Sequence, residues 1–248
     1  MLKIRDLSLK LNNKVVLDKV NVSFEKNKIT AIIGKNASGK TSLIKCINGI
    51  YKYNGEILLN SKNIKDIDIK DLSKQLSILP QLLKYPHILV KDIIAMGRNP
   101  YLSLKTKLTD NDIYIIDQVI SKLNIVNLKE KYLDELSGGQ RQLVYLALQL
   151  TQDARLMIFD EPSSFMDVNY EHFFLDILKE QKENNNKTIV LVMHNINQAI
   201  RYSDNIVVVD KGKKIFSGNK SDCLKQEVIE KTFNLKKYEI DDFVIFES

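Results

Sequence analysis

Hydrophobic and polar residues follow two kinds of spacing along this chain. Short stretches that alternate, or that are apolar throughout, predict β-strands, whereas apolar residues that recur every three or four positions predict amphipathic helices. Strands are predicted in an exposed hairpin over residues 1–28, at 29–33, 56–59, 76–79, 155–159, 188–193, 206–209 and 215–216, and in a pair that closes the chain. Helices are predicted at 41–49, 69–75, 90–97, 109–123, 137–151, 167–183, 196–202 and 220–233.

The order of these elements indicates an α/β fold with an insertion. Strands and helices mix up to residue 85, only helices follow from 86 to 153, and strands return from 154. This order is typical of a helical subdomain inserted into an α/β domain. We therefore expect one domain. Residues 1–85 and 154–248 would form an α/β core with an N-terminal antiparallel β subdomain, and residues 86–153 the helical subdomain.

Composition narrows the class of protein. The chain has 248 residues, of which 44% are hydrophobic and 27% charged, values that are typical of a soluble globular protein. The two cysteines, Cys46 and Cys223, both fall in predicted helices, so we expect no disulfide and a reducing compartment. No secretory signal and no apolar run of membrane-spanning length is apparent, so any membrane role is expected to depend on a partner.

The net charge of +6 leaves a nucleic-acid or acidic-lipid partner open. The lysines are scattered, however, and form no block of like charge. This distribution favours a solvated surface over a dedicated binding site for a polyanion.

The clearest chemical motif is a phosphate-binding loop. It is the run Gly34-Lys35-Asn36-Ala37-Ser38-Gly39-Lys40-Thr41, which fits G-x-x-x-x-G-K-[ST] between a predicted strand and a predicted helix. The glycines allow backbone N–H groups to point inward, and the helix N-terminus adds partial positive charge. Lys40 is expected to bind the outer phosphates, and the Thr41 hydroxyl to bind Mg²⁺.

Two carboxylates, Asp160 and Glu161, follow the buried strand at 155–159. Ligands of open α/β folds bind at the carboxyl ends of such strands. Asp160 is therefore a candidate for holding Mg²⁺, and Glu161 for polarising the water that attacks a phosphate.

A second glycine element, Ser137-Gly138-Gly139-Gln140, opens the predicted helix at 137–151. A serine cap and glycines at a helix N-terminus favour an anion, as the first loop does. One nucleotide does not need two such cradles far apart in the sequence.

Together these motifs resemble those of ATP-binding cassette (ABC) ATPases over essentially the whole chain. Residues 34–41 resemble the Walker A motif, 156–161 Walker B with the catalytic glutamate, and 79–81 the Q-loop. Residues 136–140 match the signature, 163–167 resemble the D-loop, and 193–195 the H-loop. The resemblance implies a P-loop NTPase fold with a RecA-like core, and ATP with Mg²⁺ as cofactors.

The resemblance also implies roles for individual residues. Two copies of the chain would pair head to tail, so that the Walker A motif of one and Ser137 to Gln140 of the other enclose each ATP. Glu161 would polarise water, His194 would contact the γ-phosphate, and Gln81 would approach Mg²⁺. The other expected nucleotide contacts are Ser42, Leu11 and Asp167.

A narrower resemblance concerns residues 96–102, 136–142 and 194–199. They are similar to the ATPases of importers for iron–siderophores, haem and vitamin B12. This implies a membrane permease that contacts residues 82–101, an indirectly associated substrate-binding protein, and a location on the cytoplasmic face of the membrane. Nucleic acid is not expected as a partner. The alternatives are a nucleic-acid-associated ABC ATPase, which the charge favours, and the ATPase subunit of an exporter.

Several residues depart from the family pattern. Ala37 stands where glycine is common and Lys35 where proline is common, and neither position is expected to make an essential side-chain contact. Met166 replaces leucine, and Asn195 replaces aspartate after His194. Leu11 occupies the position at which the family usually has an aromatic residue that stacks on adenine.

We expect the Leu11 departure to weaken ATP binding or its base selectivity, because an aliphatic side chain provides no π-stacking. The variant Leu11→Tyr should bind ATP more tightly than the wild type and discriminate better between ATP and GTP. Titration with fluorescent nucleotides measures both quantities. Unchanged affinity and base preference in this variant would show that Leu11 is not at the base site.

Overall fold

The helices and strands follow the predicted order closely. The computed structural model describes residues 1–81, 86–102, 107–162, 166–240 and 243–247. Its strands are β1 (Leu2–Leu11), β2 (Lys14–Ser23), β3 (Ile29–Ile33), β4 (Asn54–Leu59), β5 (Lys62–Asn63), β6 (Leu76–Leu79), β7 (Leu156–Asp160), β8 (Thr188–Val192), β9 (Asn205–Asp210), β10 (Lys213–Asn219), β11 (Lys236–Ile240) and β12 (Phe243–Glu247). Its helices are α1 (Lys40–Ile47), α2 (Ile69–Gln75), α3 (Val90–Ala95), α4 (Asp110–Lys122), α5 (Gly138–Gln152), α6 (Val168–Asn185), α7 (Ile196–Tyr202), α8 (Lys220–Lys225) and α9 (Val228–Phe233).

A mainly parallel sheet forms the centre of the molecule, with strand order β10-β9-β3-β8-β7-β6. Strands β9, β3, β8, β7 and β6 pair in parallel, and β10 pairs antiparallel to β9. A separate antiparallel sheet has the order β2-β1-β4-β5. This arrangement confirms the predicted α/β fold with an antiparallel β subdomain.

Strands β3, β7 and β8 of the central sheet are buried on both faces, which is why they are mainly apolar. Ile32 and Ile158 point into one core, which also contains α1 and the antiparallel sheet. Ala31 and Phe159, their neighbours in sequence, point into the other core, which contains α3 to α7. The period of two therefore sorts adjacent residues into two separate layers.

The prediction that residues 1–28 form exposed strands is wrong. Leu2, Leu7 and Leu17 are fully buried, because one face of β1 and β2 packs onto α1 and the central sheet. The outer face carries the polar residues. Register shifts interrupt the β1–β2 pairing, and Asp6 and Lys19 adopt positive φ values of 46° there.

Two predicted helices differ in detail. The helix predicted at 90–97 ends as an α-helix at Ala95 and continues as a 3₁₀-helix over Met96–Tyr101. The helix predicted at 220–233 is divided into α8 and α9, because Glu227 adopts the left-handed conformation between them. Cys46 and Cys223 are free and buried in helices, as expected, and burial raises the pKa of their thiols to about 11 and about 12.

A buried ion pair holds the 3₁₀-helix against α4 and α5. Arg98 donates from Nε to Asp112 Oδ1 (2.8 Å) and from Nη1 to the carbonyl oxygen of Thr151 (2.8 Å). Its guanidinium also lies 3.9 Å from the ring centroid of Tyr101. Gly97 is required beside it, because a Cβ there would overlap the hydroxyl of Thr151.

The C-terminal end of α5 is tied to the central sheet and to α2. Gln149 accepts a hydrogen bond from the Ser77 hydroxyl of β6 (3.0 Å), and Gln152 donates to the carbonyl oxygen of Ser73 (2.7 Å). The boundaries of the helical subdomain at 86 and 153 remain a prediction. In the described ranges, no helix is long and apolar enough to cross a lipid bilayer.

The ion pair between Asp112 and Arg98 is expected to make the free energy of unfolding depend on pH. Hydrogen bonds from Thr109 and then the contact with Arg98 lower the pKa of Asp112 from 3.8 to about 2. Because the folded-state value lies below the unfolded value, the stabilisation is complete above the unfolded pKa and is lost as the pH falls through about 2. Asp112→Asn should therefore lower the free energy of unfolding at pH 7 by about 2–3 kcal/mol, and this difference should shrink below about pH 4.

Urea unfolding at several pH values measures this effect. Asp117→Asn is the matched control, because Asp117 lies on the same helix and pairs with Lys129 at 2.8 Å in solvent. It should cost less than about 1 kcal/mol. Equal losses in the two variants, or a loss in Asp112→Asn that is independent of pH, would contradict this account.

Candidate functional site

The residues between β3 and α1 form a tight loop, and the segments packed against it leave no room for side chains at its two glycines. A Cβ on Gly34 would overlap the carbonyl oxygen of Val209 in β9, so only glycine fits. Gly39 has a φ of 108°, and a Cβ there would lie 2.8 Å from Cδ2 of Leu17. Both glycines of the motif are therefore needed for close packing as well as for the turn.

Ala37 adopts a φ of 60°, in the left-handed region. This explains why a glycine is common at this position in the family pattern, since a residue with a Cβ costs about 1–2 kcal/mol there. The preference concerns the backbone and not a side-chain contact. Lys35, Asn36 and Ala37 are exposed at the tip of the loop.

Lys40 spans the loop from the start of α1. Its ammonium donates to the carbonyl oxygens of Gly34 (2.8 Å) and Lys35 (3.2 Å), and the side chain is buried. Burial lowers the pKa of Lys40, although Glu161 and Asp160 oppose this shift. The hydroxyl of Ser38 is also buried and has no hydrogen-bond partner among the described residues. A buried ammonium and a hydroxyl without a partner among the described residues, both beside the N-terminus of α1, fit a phosphate group.

Asp160 ends β7 beside the first turn of α1. Its Oδ1 accepts a hydrogen bond from the Thr41 hydroxyl at 3.3 Å. Burial, and then the neighbouring Glu161, raises the pKa of Asp160 to about 6. A buried carboxylate next to a hydroxyl is a donor set that suits Mg²⁺. No cluster of three histidine, cysteine or acidic residues that could hold a metal occurs in the described chain.

Glu161 is held between two side chains from other strands. Nε2 of His194 lies 2.6 Å from Oε1, and the amide nitrogen of Gln81 donates to Oε2. Glu161 has a φ of 54°, and its own N–H donates to the carbonyl oxygen of Val192 (3.1 Å). Strain at a non-glycine residue of this kind is characteristic of functional sites.

One cavity of about 710 Å³ brings these groups together. Residues 36–42, Gln81, Glu161 and His194 line one part of it, and Leu11 lines another. The structure thus places the predicted P-loop, Q-loop, Walker B and H-loop residues around a single space that has room for a nucleotide.

The part of the cavity around Leu11 contains residues that were not predicted. Lys14, Val15, Val16, Lys211 and Gly212 line it together with Leu11. Strand β9 pairs with β3 and so brings the turn at 210–212 next to the P-loop, where the N–H of Gly212 donates to the carbonyl oxygen of Ser38 (2.9 Å). Leu11 and the valines offer only aliphatic contact to a base.

The signature residues do not reach this cavity. Ser137 caps α5 by accepting a hydrogen bond from the N–H of Gln140 (3.3 Å), and the Gln140 side chain accepts one from the N–H of Ser137 (3.1 Å). Residues 137–140 are not among the described residues that line the P-loop cavity. Gly138 begins the helix, and Gly139 is buried behind it.

Asp167 also lies outside the cavity. It caps α6 by accepting a hydrogen bond from the N–H of Tyr170 (3.0 Å). Residues 163–165 of the predicted D-loop lie outside the described residues, and Met166 packs against the core that contains α3 to α7. Asn195 caps α7 by accepting from the N–H of Gln198 (3.1 Å), a role that an aspartate can also fill.

Comparison with known proteins identifies the family. A model of the ABC transporter family matches residues 17–164, more than half of the chain. The chain belongs to the ABC transporter family. Members of this family bind ATP and hydrolyse it to power transport, so the chain is an ATPase.

Two relatives cover nearly the whole chain of this ABC ATPase. The petrobactin import ATP-binding protein YclP of Bacillus subtilis is 34% identical over 95% of this chain and 93% of its own length. The iron(3+)-hydroxamate import ATP-binding protein FhuC of the same species is 30% identical over 94% and 88%.

Solved structures confirm the fold. An inward-facing structure of a metal-chelate type ABC transporter matches 99% of this chain and 95% of its own, with a TM-score of 0.82 and 23% identity. The P-loop NTPase fold with an antiparallel β subdomain, which the motifs implied, is therefore confirmed.

Proposed function

We propose that this chain is the ATP-hydrolysing subunit of an importer for a metal chelate of the iron–siderophore class. It would act on the cytoplasmic face of the membrane through a separate permease, with a substrate-binding protein delivering the chelate. The import function and the substrate class are supported by the names of the relatives reported above. Haem and cobalamin belong to the same narrower resemblance and are tested beside the siderophore below.

The observation that carries the mechanism is the separation of two phosphate cradles on one chain. The P-loop cavity gathers Lys40, Gln81, Glu161 and His194, whereas the signature helix presents its exposed N-terminus elsewhere. A cradle that faces away from the nucleotide of its own chain can serve the nucleotide of a second copy. We infer that two copies pair head to tail and complete each other's sites.

In this proposal the P-loop binds the phosphates of ATP. Backbone N–H groups of residues 34–39, the Lys40 ammonium and the Ser38 hydroxyl face the phosphates, and Thr41 and Ser42 extend the contact into α1. Leu11 packs on the base by dispersion alone. Ser137, Gly138, Gly139 and Gln140 of the second copy approach the terminal phosphate, and Asp167 lies beside that interface.

The cation site consists of Thr41, Asp160 and Gln81. A bound Mg²⁺ would neutralise charge on the phosphates during transfer. The pair formed by Thr41 and Asp160 at 3.3 Å supports this placement. Gln81 connects the site to residues 82–101, which would contact the permease and of which 82–85 lie outside the described chain.

Glu161 is the proposed general base. Its two oxygens are held by Gln81 and His194, so the carboxylate is aimed into the cavity before any water arrives. A water between Glu161 and the terminal phosphate would give a proton to the carboxylate as its oxygen bonds to the γ-phosphorus, and the bond from that phosphorus to the bridging oxygen would break to release ADP. His194, whose side chain is about half exposed, would donate to the γ-phosphate after releasing Glu161.

The test uses Glu161→Gln, which keeps the shape of the side chain but removes the base. The purified variant should bind ATP and form a dimer, but its hydrolysis rate should fall by roughly 100-fold or more. Size-exclusion chromatography and phosphate release measure the two properties. Hydrolysis at the wild-type rate would remove Glu161 from its role.

The transport function is tested by an uptake assay, in which Glu161→Gln is the matched inactive control. In cells that lack the gene, the wild-type chain should restore uptake of radioactive iron as a ferric siderophore, and Glu161→Gln should not. Uptake of haem or cobalamin, with no uptake of the siderophore, would show that the proposed substrate class is wrong. Stimulation of the ATPase by RNA or DNA at physiological salt, with no effect on uptake, would favour the nucleic-acid-associated alternative. Efflux in place of uptake would favour the exporter.

A further inference from the structure

The second glycine of the signature helix lies against an aromatic ring of its own chain. A Cβ atom on Gly139 would lie 3.1 Å from Cγ, 3.3 Å from Cδ2 and 3.5 Å from Cδ1 of Tyr170. These are the three atoms nearest to that position. The ring of Tyr170 therefore occupies the space next to the backbone of α5, where a side chain at 139 would need room.

Tyr170 is fixed at its other end to Asp167. Its backbone N–H donates to Oδ1 of Asp167, the N-cap residue of α6, at 3.0 Å. Tyr170 therefore contacts the cap of α6 through its backbone and the Gly139 region through its ring. The first turns of α5 and α6 are thus joined through Tyr170. In the proposed dimer, both turns face the second copy.

A cavity lies beside the ring of Tyr170, so the ring separates empty space from the backbone of Gly139. The cavity measures about 280 Å³ and is lined by Tyr170, Phe173, Leu143 and Gln140, among others. Tyr170 itself is half-buried and packs against the main core. Without the ring, the cavity would extend to the backbone of Gly139, and the N-terminus of α5 would lose the surface on which it rests.

We propose that Tyr170 is a positioning residue that sets the distance between the signature helix and Asp167. Because both elements approach the ATP of the second copy in the head-to-tail dimer, the inference rests on that proposed function. Tyr170 would contact no nucleotide. It would act by placing the two elements so that they meet the partner together.

The contact with Tyr170 is also a second reason why residue 139 is a glycine. The family resemblance implies that Gly139 is small because it approaches a phosphate of the second copy. In this chain, a side chain at 139 would also press on Tyr170 within the same chain. The two requirements can be separated, because only the second depends on the residue at 170.

The experiment measures dimer formation in the Glu161→Gln background, where ATP is retained. With Tyr170→Ala added, the ATP concentration for half-maximal dimerisation should rise roughly tenfold or more, because the two elements would then have to be ordered as the dimer forms. Tyr170→Phe keeps the ring and should behave like the parent. Binding of ATP to the dilute monomer should stay unchanged in both, because the P-loop cavity does not contain Tyr170.

Phe173→Leu is the control for a general loss of packing. Phe173 lies on the same helix and lines the same cavity, but the atoms nearest to Gly139 belong to Tyr170. This variant should lose stability towards urea while dimerising like the parent. If it impairs dimerisation as much as Tyr170→Ala, then packing alone explains the effect and the inference is overturned.

A double-mutant cycle tests the contact itself. Gly139→Ala should impair dimerisation, and adding Tyr170→Ala should cause no further loss, because the methyl group then has no ring to press on. Losses that simply multiply would overturn the contact. If Glu161→Gln alone stays monomeric with ATP, the proposed dimer fails and the inference fails with it. If that parent dimerises and Tyr170→Ala dimerises equally well, only the inference is overturned.

Discussion

The parallel pairing of β3 with β8 and β9 is the constraint on which the whole site depends. Ile32 is in register with Val192, and Ile33 with Val208. Continuing across the sheet, Asp160 is in register with Val192, and Leu79 with Phe159. The strands therefore end at the same edge of the sheet. Residues in the loops that follow them line the same cavity. Shifting any one strand would remove its loop from the site.

The register explains how residues far apart in sequence act together. The loop after β3 supplies the phosphate cradle, and the residues after β7, β8 and β6 supply Glu161, His194 and Gln81. The side chains then fix one another, since Glu161 is held by both of the others. Burial also raises the pKa of Asp160, next to Glu161, and lowers that of Lys40.

Helix α5 is the second constraint, because it connects the signature to the central sheet. Its N-terminus carries Ser137 as a cap, and near its C-terminus Gln149 is bonded to Ser77 of β6. Strand β6 ends at Leu79, two residues before Gln81. The helix that would face the second copy is thus anchored next to the strand that leads to Gln81. This arrangement suits an enzyme in which closure of a dimer and contact with a permease must influence each other.

The sequence predicted the parts of the fold and of the site that depend on local patterns. The P-loop, the carboxylates after β7 and the serine cap at Ser137 each follow from a few adjacent residues. Contacts between distant segments could not be predicted. The turn at 210–212 joins the cavity only because β9 pairs with β3, and the buried face of β1 exists only because α1 packs on it. Leu11 was found through the family pattern, whereas the contact of Tyr170 with Gly139 has no signal in the sequence.

The central claim is that one chain holds only half of each site, and mixing two defective variants tests it most directly. Lys40→Ala disables the P-loop and leaves the signature intact, whereas Ser137→Arg blocks the signature and leaves the P-loop intact. Each variant alone should lack ATPase activity. A mixture should regain it, because a dimer of the two unlike chains contains one site in which both halves are intact. A mixture that stays as inactive as its components would show that the two cradles do not meet across a dimer, and would contradict the account.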